Sequence, residues 1–590
     1  MPALQQWMET FPELATQVRR QRSIGGVRKV LLGFLSRQEA PYRYGRQEIS
    51  PLEYYLVRAC VQNLKSIFSL RGERVSGSSA ARSVAVSMGV CTGPQPSEAF
   101  WQDLYHLFLG AAGRSKVYEG VKSPAFLKLT GRDAGRVRSR ELDRLARSVR
   151  GMIDRYPHGL SPQAVARRRA SRRRVLHALD GSSADWSSYR WQLKHIIREA
   201  GVLGRIISLT PSEREAINMA RQKGIPFGVT PYYASLMDQA PHRKRDHAVR
   251  AQVIPTPEYV RLMSEARACA SGSLDFMGET DTSPVDLVTR RYPQIAIFKP
   301  FNTCAQICVY CQRNWEIRDA MQSGSLAPAS AIHKAMAWFR NHKFVEEVLI
   351  TGGDPLMLPD YAVSQLLGEF ARMPHIRRVR IGTRAPVVLP MRFTPTLLRI
   401  LARFARAGQR LAIVTHFEHP YEVTPEAAEA VRRLRSLGFD VYNQQVFTLE
   451  NSRRFETSAL RFALKRIGVD PYYTFFPKGK EETRSFHVPI ARILQERKEE
   501  ARLTPGDVRT DEPVFNLPRL GKNHLRAGQD HHLIGLAHDG SRVYEFLPWE
   551  KNLYPSPTYV HRDLPILNYL QRLQERGEDP ADYRTIWYYF

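Results

Sequence analysis

The chain has 590 residues, an ordinary apolar fraction of 43% and a formal net charge of +29. That length predicts two or more domains with a large core. No window approaches about 18 uninterrupted apolar residues, which argues against a membrane span, and six cysteines in such a length suit a reducing cytoplasm rather than a disulfide scaffold.

Residues 1–180 read as a helical, basic accessory region. The N-terminal MPALQQWMETFPEL lacks a basic segment followed by an apolar signal core. EYYLVRACVQNLKSIFSL (53–70), EAFWQDLYHLFLGAAG (98–113) and RSRELDRLARSVRGMIDRYP (138–157) place apolar residues at helical spacing. The stretch between the first two is rich in small residues and ends in turn formers. Cys60 and Cys91 read as small buried residues. From Arg132 to Arg174 fourteen arginines stand against four acidic residues. Such a run can bind phosphate backbones, or it can be a solvated helical face; no zinc finger, RNA-binding signature or aromatic platform accompanies it.

A boundary is predicted near DGSSADWSS (180–188), followed by a helical lead-in over 181–290. There WQLKHIIREAGVLGRII reads as one helix, and TPSEREAINMARQKG as another with Thr210 or Ser212 as its cap. Over 291–490 apolar strands alternate with helices. IAIFKP, VEEVLITGG, IRRVRIGT, QRLAIVTHF and GFDVYNQQVF are the strands, and AIHKAMAWFRN, DYAVSQLLGEFARM, TPTLLRILARFARAG and TPEAAEAVRRLRSLG lie between them. This alternation predicts an α/β fold with a parallel sheet that closes or nearly closes into a barrel, functional loops at the strand C-terminal ends. Residues 491–590 form a C-terminal region.

The chemistry concentrates after the first of these strands, where Cys304, Cys308 and Cys311 form a CxxxCxxC pattern. Three thiolates on one loop can hold three irons of a [4Fe–4S] cluster and leave the fourth open to a small molecule. Zinc would require a fourth ligand, and none sits at close spacing. TGGDP (351–355) ends the next strand; Gly352 and Gly353 permit close backbone approach and Asp354 supplies a carboxylate. His416 and His419 in THFEHP sit at a strand end and read as lining the site mouth. They lack the acidic partners of a metal site, and His531 and His532 are no more persuasive.

The cysteine loop, with Tyr310 just before its last cysteine, resembles that of radical S-adenosylmethionine enzymes. YRWQLKHIIREAG (189–201), GVTPYYASLMD (228–238), TRRYP (289–293), VLITGGDPLML (348–358), VRIGTRAPVVLPMRFTP (379–395), VTHFEHPYEVT (414–424) and DPYYTFFPKG (470–479) are similar, in the same order, to the lysine 2,3-aminomutase family, over roughly three fifths of the chain. The resemblance implies a partial parallel (β/α) barrel of radical-SAM type with a helical N-terminal extension. It implies a [4Fe–4S] cluster on Cys304, Cys308 and Cys311, and S-adenosylmethionine held by Gly352, Gly353 and Asp354. It also implies a reducing flavodoxin or ferredoxin system as electron donor, and an isomerase in the cytoplasm. Lys522, in NLPRLGKNHL, matches the lysine that holds pyridoxal 5′-phosphate, Arg291 an arginine near that cofactor, and Arg313 the arginine for the substrate α-carboxylate. The loop before Lys522 is one residue shorter than is usual in the family and has Arg519 and Leu520 where glycines are usual.

The same resemblance points to the substrate. Where lysine aminomutases put two aspartates around the distal ammonium, this chain has Lys478 and Asn516, as in the glutamate 2,3-aminomutase variant. A cation and an amide would bind a carboxylate and not a buried ammonium. VYCQRNW replaces the usual RHCTRR, Phe475 replaces a tyrosine, and with no cysteine after Cys311 the family's structural zinc is not expected. The function that follows is a small-molecule amino acid 2,3-aminomutase with L-glutamate favoured. Its rivals are a radical enzyme acting on another amino acid or a tRNA- or protein-linked amine, and a nucleic-acid-binding protein with a structural cluster. Whether the enzyme is a homo-oligomer is left open by the sequence.

Overall fold

The structure is a computed structural model and is described over residues 2–43, 51–119, 122–240, 245–268, 274–406, 408–477 and 481–590. The chain forms two compact units. One comprises Gly151–His487 and Thr504–Lys522; the other comprises Met1–Arg150, Val488–Leu503 and Asn523–Phe590.

The first unit is the α/β barrel. Its strands are β1 (Val288–Thr289), β2 (Ile295–Phe301), β3 (Glu347–Gly352), β4 (Arg378–Gly382), β5 (Arg410–Thr415), β6 (Asp440–Val446), β7 (Asp470–Phe475) and β8 (Glu512–Asn516), and a short β9 (Lys522–His524) begins at its last residue. They lie side by side in chain order, with β2 to β8 parallel and β1 antiparallel to β2. Because β1 and β9 end the order, the sheet is an open, partial barrel. Helices Ala329–Asn341, Asp360–Ala371, Pro395–Arg406, Pro425–Ser436 and Glu456–Arg466 fill the crossovers between β2 and β7, as parallel pairing demands.

Side-chain alternation along the strands separates core from site. Phe298, Ile350, Ile381, Ile413 and Val441 are in register across β2 to β6 and are buried. Phe298 meets Phe339 and Phe370 of the covering helices edge to face. The opposite face of β2, β3, β4 and β6 carries Lys299, Glu347, Arg380 and Gln444, all half-buried. A filled barrel would bury apolar residues on both faces. A polar, half-buried inner face instead suits an interior that receives ligands.

One local expectation changes. WQLKHIIREAGVLGRII is not one helix but two, Tyr189–Lys194 and Ala200–Ile206, because Ile197 leaves the helix to exchange both backbone hydrogen bonds with Val229, at 2.8 and 3.0 Å. The small-residue stretch after residue 70 ends in turns as its turn formers predict, and before them it is helical, with helices Leu70–Ser76 and Ala80–Ser87. Each is started by a serine, Ser69 Oγ accepting from the Gly72 N–H and Ser79 Oγ from that of Arg82. Thr210 caps Pro211–Gln222, with Glu213 reaching back to the Thr210 N–H.

Part of the arginine run is structural. Residues 151–180, which the arginines group with the N-terminal region in sequence, belong to the barrel unit. Buried Arg168 reaches Glu426 at 2.9 Å and the Gly159 carbonyl, and Arg174 bonds the Ile206 carbonyl. Helix Gly131–Asp154 carries its arginines largely exposed.

The second unit packs N-terminal helices with an antiparallel sheet of β10 (His531–Leu536), β11 (Arg542–Phe546) and β12 (Tyr559–Arg562). Its centre is a buried pair, Arg542 with Asp103, both contacts at 2.8 Å. The same guanidinium takes the carbonyls of Trp587 and Tyr589, so its donors are satisfied, which a buried charge requires. No helix among the described residues is long and apolar enough to cross a membrane.

Candidate active site

The three cysteines leave the C-terminal end of β2 on a loop fastened from beneath. Buried Asn314 donates to the Val309 carbonyl at 2.8 Å and to the Tyr259 hydroxyl at 2.7 Å, and the Thr303 hydroxyl holds the Asp319 carbonyl. Cys304, Cys308 and Cys311 are free thiols. Burial pushes the Cys304 and Cys308 thiols up, Cys308 to about 11, and each is raised further by the neighbouring sulfurs. Three half-buried thiolates crowded on one loop need a bound cation to persist, and this donor set fits an iron–sulfur cluster. Arg384, just after β4, donates to Cys308 Sγ at 2.7 Å. Its other donors go to Gln252 at 2.6 Å, to the His416 carbonyl and to Glu422.

Gly352 and Gly353 serve the cysteine loop directly. A Cβ at Gly353 would meet the Thr303 backbone at 2.1 Å, and at Gly352, whose φ is +115°, the Phe301 carbonyl at 2.6 Å. The turn docks there through Gly353 N–H to the Phe301 carbonyl and Asp354 N–H to the Thr303 carbonyl. The Asp354 carboxylate is buried and accepts from the Thr383 hydroxyl and from the Arg384 and Leu356 N–H groups. It therefore ties the end of β3 to that of β4.

Lys522 lies on the inner side of the barrel. Its Nζ sits 5.1 Å from the centroid of the Tyr292 ring and 5.3 Å from that of Tyr473, and its N–H donates to the Tyr292 hydroxyl at 2.6 Å. Burial, with Arg380 and Arg291 nearby, lowers its ammonium from the ordinary 10.5 to about 8. Arg291 keeps a buried Nε donor without a partner, and its Nη2 reaches the Met277 carbonyl. An amine that gives up its proton near pH 8, beside an arginine with an unused donor, fits an aldehyde cofactor carrying a phosphate.

Between these two sites runs the segment 274–283. Met277 accepts from Arg291 and from the Arg519 N–H, and Glu279 binds Arg313 and Lys299. Arg313 thus meets Glu279 and Glu316 rather than open solvent. Asn516 is half-buried at the end of β8, and Lys478 lies outside the described residues.

A sequence model of the radical SAM superfamily matches residues 298–459. A protein of Methanocaldococcus jannaschii described as an uncharacterized KamA family protein is 42% identical over 98% of this chain and 96% of its own. The chain belongs to the KamA family of radical SAM proteins. The glutamate 2,3-aminomutase of Clostridioides difficile and the L-lysine 2,3-aminomutase of Clostridium subterminale are each 33% identical over 54% of this chain and 72% of theirs. Family membership implies a [4Fe–4S] cluster and S-adenosylmethionine, and hence a radical SAM enzyme of the aminomutase type.

In this KamA protein the lysine loop turns through a non-glycine residue. Arg519 has φ +61°, a left-handed conformation that costs a non-glycine residue about 1 kcal/mol or more. Its stem packs on Gly278 and its guanidinium pairs with Asp281 at 2.7 Å, where both side chains are largely exposed. A surface pair of that kind contributes about 0.2–1 kcal/mol. Arg519→Gly is therefore expected to stabilise the barrel unit by roughly 0.5 kcal/mol, read as a higher denaturant midpoint. A lower midpoint would show that the contacts with Gly278 and Asp281 outweigh the backbone strain.

One cluster in this KamA protein joins residues that sequence spacing kept apart. His247 and His419 both contact the Glu456 carboxylate, at 2.8 and 3.1 Å, and all three are buried. The Nδ1 of His419 already accepts the Tyr421 N–H, so its Nε2 carries the proton and donates to Glu456. His419 is thus a buried hydrogen-bonding residue and not part of the mouth, whereas His416 is partly exposed. Arg384, Lys299 and Glu279 were also invisible to motif reading; the one local signal for Arg384 is its place directly after a strand end.

Proposed function

We propose that this protein is a 2,3-aminomutase that moves the α-amino group of an acidic amino acid, L-glutamate first, to the adjacent carbon, with pyridoxal 5′-phosphate held on Lys522. The observation that carries the reading is the buried amine of Lys522, lowered to about 8, facing the same barrel interior as the inner side of the strand that leads into the cysteine loop. When bound, the cluster with S-adenosylmethionine supplies a hydrogen-abstracting radical, and pyridoxal phosphate supplies delocalisation for nitrogen migration.

The chain's own residues do the positioning. Cys304, Cys308 and Cys311 hold the cluster, and Gly352, Gly353 and Asp354 bring the β3 turn against their loop to form the S-adenosylmethionine side. Tyr292 and Tyr473 flank the Lys522 amine, while its burial and the nearby Arg380 and Arg291 let it lose its proton near pH 8 and act as a nucleophile above that. Arg291 offers its unused donor to the cofactor phosphate, and Arg313 takes the substrate α-carboxylate. A flavodoxin or ferredoxin system provides the electron.

Charge supports an acidic substrate. Lys299, Arg313, Arg291 and Arg380 contribute four cations to this interior against the three carboxylates of Glu279, Glu316 and Glu347 that pair with them, and the positive charge left over favours an anion over an ammonium. Lys478 and Asn516 are the residues assigned to the distal carboxylate. The double variant Lys478→Asp, Asn516→Asp is expected to lower kcat/KM for L-glutamate at least about 100-fold, the loss of one charge-assisted pair and one amide bond, and to raise turnover of a cationic amino acid. Unchanged glutamate turnover would refute the assignment.

A further inference from the structure

Arg313 and Lys299 converge on one carboxylate, and it belongs to the protein. Lys299, on the inner face of β2, reaches Glu279 at 2.6 Å, Arg313 pairs with the same oxygen, and Gln312 donates to the other at 3.3 Å. All three charged side chains are largely buried. Although burial opposes ionisation, the cations hold the Glu279 carboxyl below the usual range, with Arg291 adding to their effect. The Nε of Arg313 remains a buried donor without a partner.

The segment carrying Glu279 does not depend on that carboxylate. The Glu279 carbonyl accepts the Ser283 and Thr282 hydroxyls, Met277 accepts from Arg519 and Arg291, and Asp281 pairs with Arg519. The side chain can rotate away while its backbone stays anchored. Removing the Glu279 carboxylate would leave Lys299 a costly unpaired charge and Arg313 with Glu316 alone. Exchanging it for another carboxylate leaves the charge of the subsite unchanged.

We propose that Arg313 and Lys299 form a two-cation carboxylate subsite whose resident ligand, Glu279, is exchanged for a carboxylate of the amino acid substrate. This rests on the reading of Arg313 as the residue for the substrate α-carboxylate, and it makes Lys299 a second binding residue and Glu279 a competitor for that group. Two cations and an amide around one carboxylate would fix the α-carboxylate, which every amino acid substrate brings, in one orientation, while discrimination between side chains falls to the distal residues.

The test is calorimetric binding of glutarate, a dicarboxylate with no amine to react, to the full-length holoenzyme. Glu279→Gln is expected to bind glutarate about tenfold more tightly, as when a subsite nine-tenths occupied by its own ligand is freed. Glu279→Asp, which keeps the charge, should stay within about threefold of wild type. Lys299→Met should weaken binding about tenfold or more in either background. If Glu279→Gln fails to fold, Lys299→Met alone decides, and unaltered glutarate affinity in it overturns the subsite. If Arg313→Gln abolishes binding while Glu279→Gln leaves it unchanged or weaker, the exchange is wrong and the role of Arg313 survives. If Arg313→Gln binds as wild type, the underlying substrate reading fails.

Discussion

Lys522→Ala is expected to lower aminomutase turnover by roughly 10³-fold or more, about 4 kcal/mol of barrier, with iron content and the folded state intact. The Lys522 backbone N–H keeps its bond to the Tyr292 hydroxyl whatever the side chain, so the loss falls on chemistry rather than on the fold. The amine also sets a pH dependence. Burial, Arg380 and Arg291 each favour its neutral form and bring it to about 8. Below that pH the amine is protonated and not nucleophilic; above it the free base accumulates. The rate at which pyridoxal phosphate is taken up, followed by absorbance, should therefore rise with a midpoint near pH 8. In Arg380→Met, with one repelling cation removed, the midpoint should move upward. A midpoint near the ordinary lysine value of 10.5 in the wild-type protein would deny the buried setting of this amine.

Arg384→Met is expected to cost about 3–5 kcal/mol of stability, because Glu422 is fully buried and loses the cation beside it. The Glu422 carboxylate accepts from Tyr233, Gln252 and two backbone N–H groups as well, but none of these carries charge. The double variant Arg384→Met, Glu422→Gln should recover most of that loss, since the stranded charge is then gone. Retained iron tells a separate story. Arg384 donates to Cys308 Sγ, and loss of a partner to a metal ligand typically weakens metal affinity 10- to 100-fold, roughly. Stability should return in the double variant while iron retention stays low. Simultaneous recovery of both would make Arg384 a purely structural residue.

What could be read from the sequence was local. The barrel strands β2 to β6 and the helices between them follow from short apolar runs alternating with helical periodicity, and the cysteine loop from fixed spacing. Lys522, Arg291 and Arg313 were found by family motif, and each lies on or beside the barrel interior. The roles of charges that meet across the fold could not be read. Glu279 and Arg313 are 34 positions apart, and Arg384 and Cys308 76 positions apart, and nothing in the intervening sequence marks them as partners. Asp354 was legible as a carboxylate at a strand end, but not as the acceptor that joins β3 to β4. The helix broken at Ile197 kept its apolar period, since only the pairing with Val229 overrides it. In the same way, no periodic signal could show that Asp103 from the N-terminal region shares a buried pair with Arg542 near the other end of the chain. Arg519 illustrates the converse case: family likeness marked the glycine as missing, and the backbone nevertheless holds the left-handed turn.

The central claim is that the cysteine loop and Lys522 serve one reaction, and the most direct measurement is NMR of the product from ¹⁵N-labelled L-glutamate. The reconstituted enzyme would be incubated anaerobically with S-adenosylmethionine, pyridoxal phosphate and a reductant. The account predicts label on carbon 3, as 3-aminopentanedioate, with formation abolished in Lys522→Ala. Reductive cleavage of S-adenosylmethionine with every α-amino group still on carbon 2, for glutamate and for the other common amino acids alike, would contradict it.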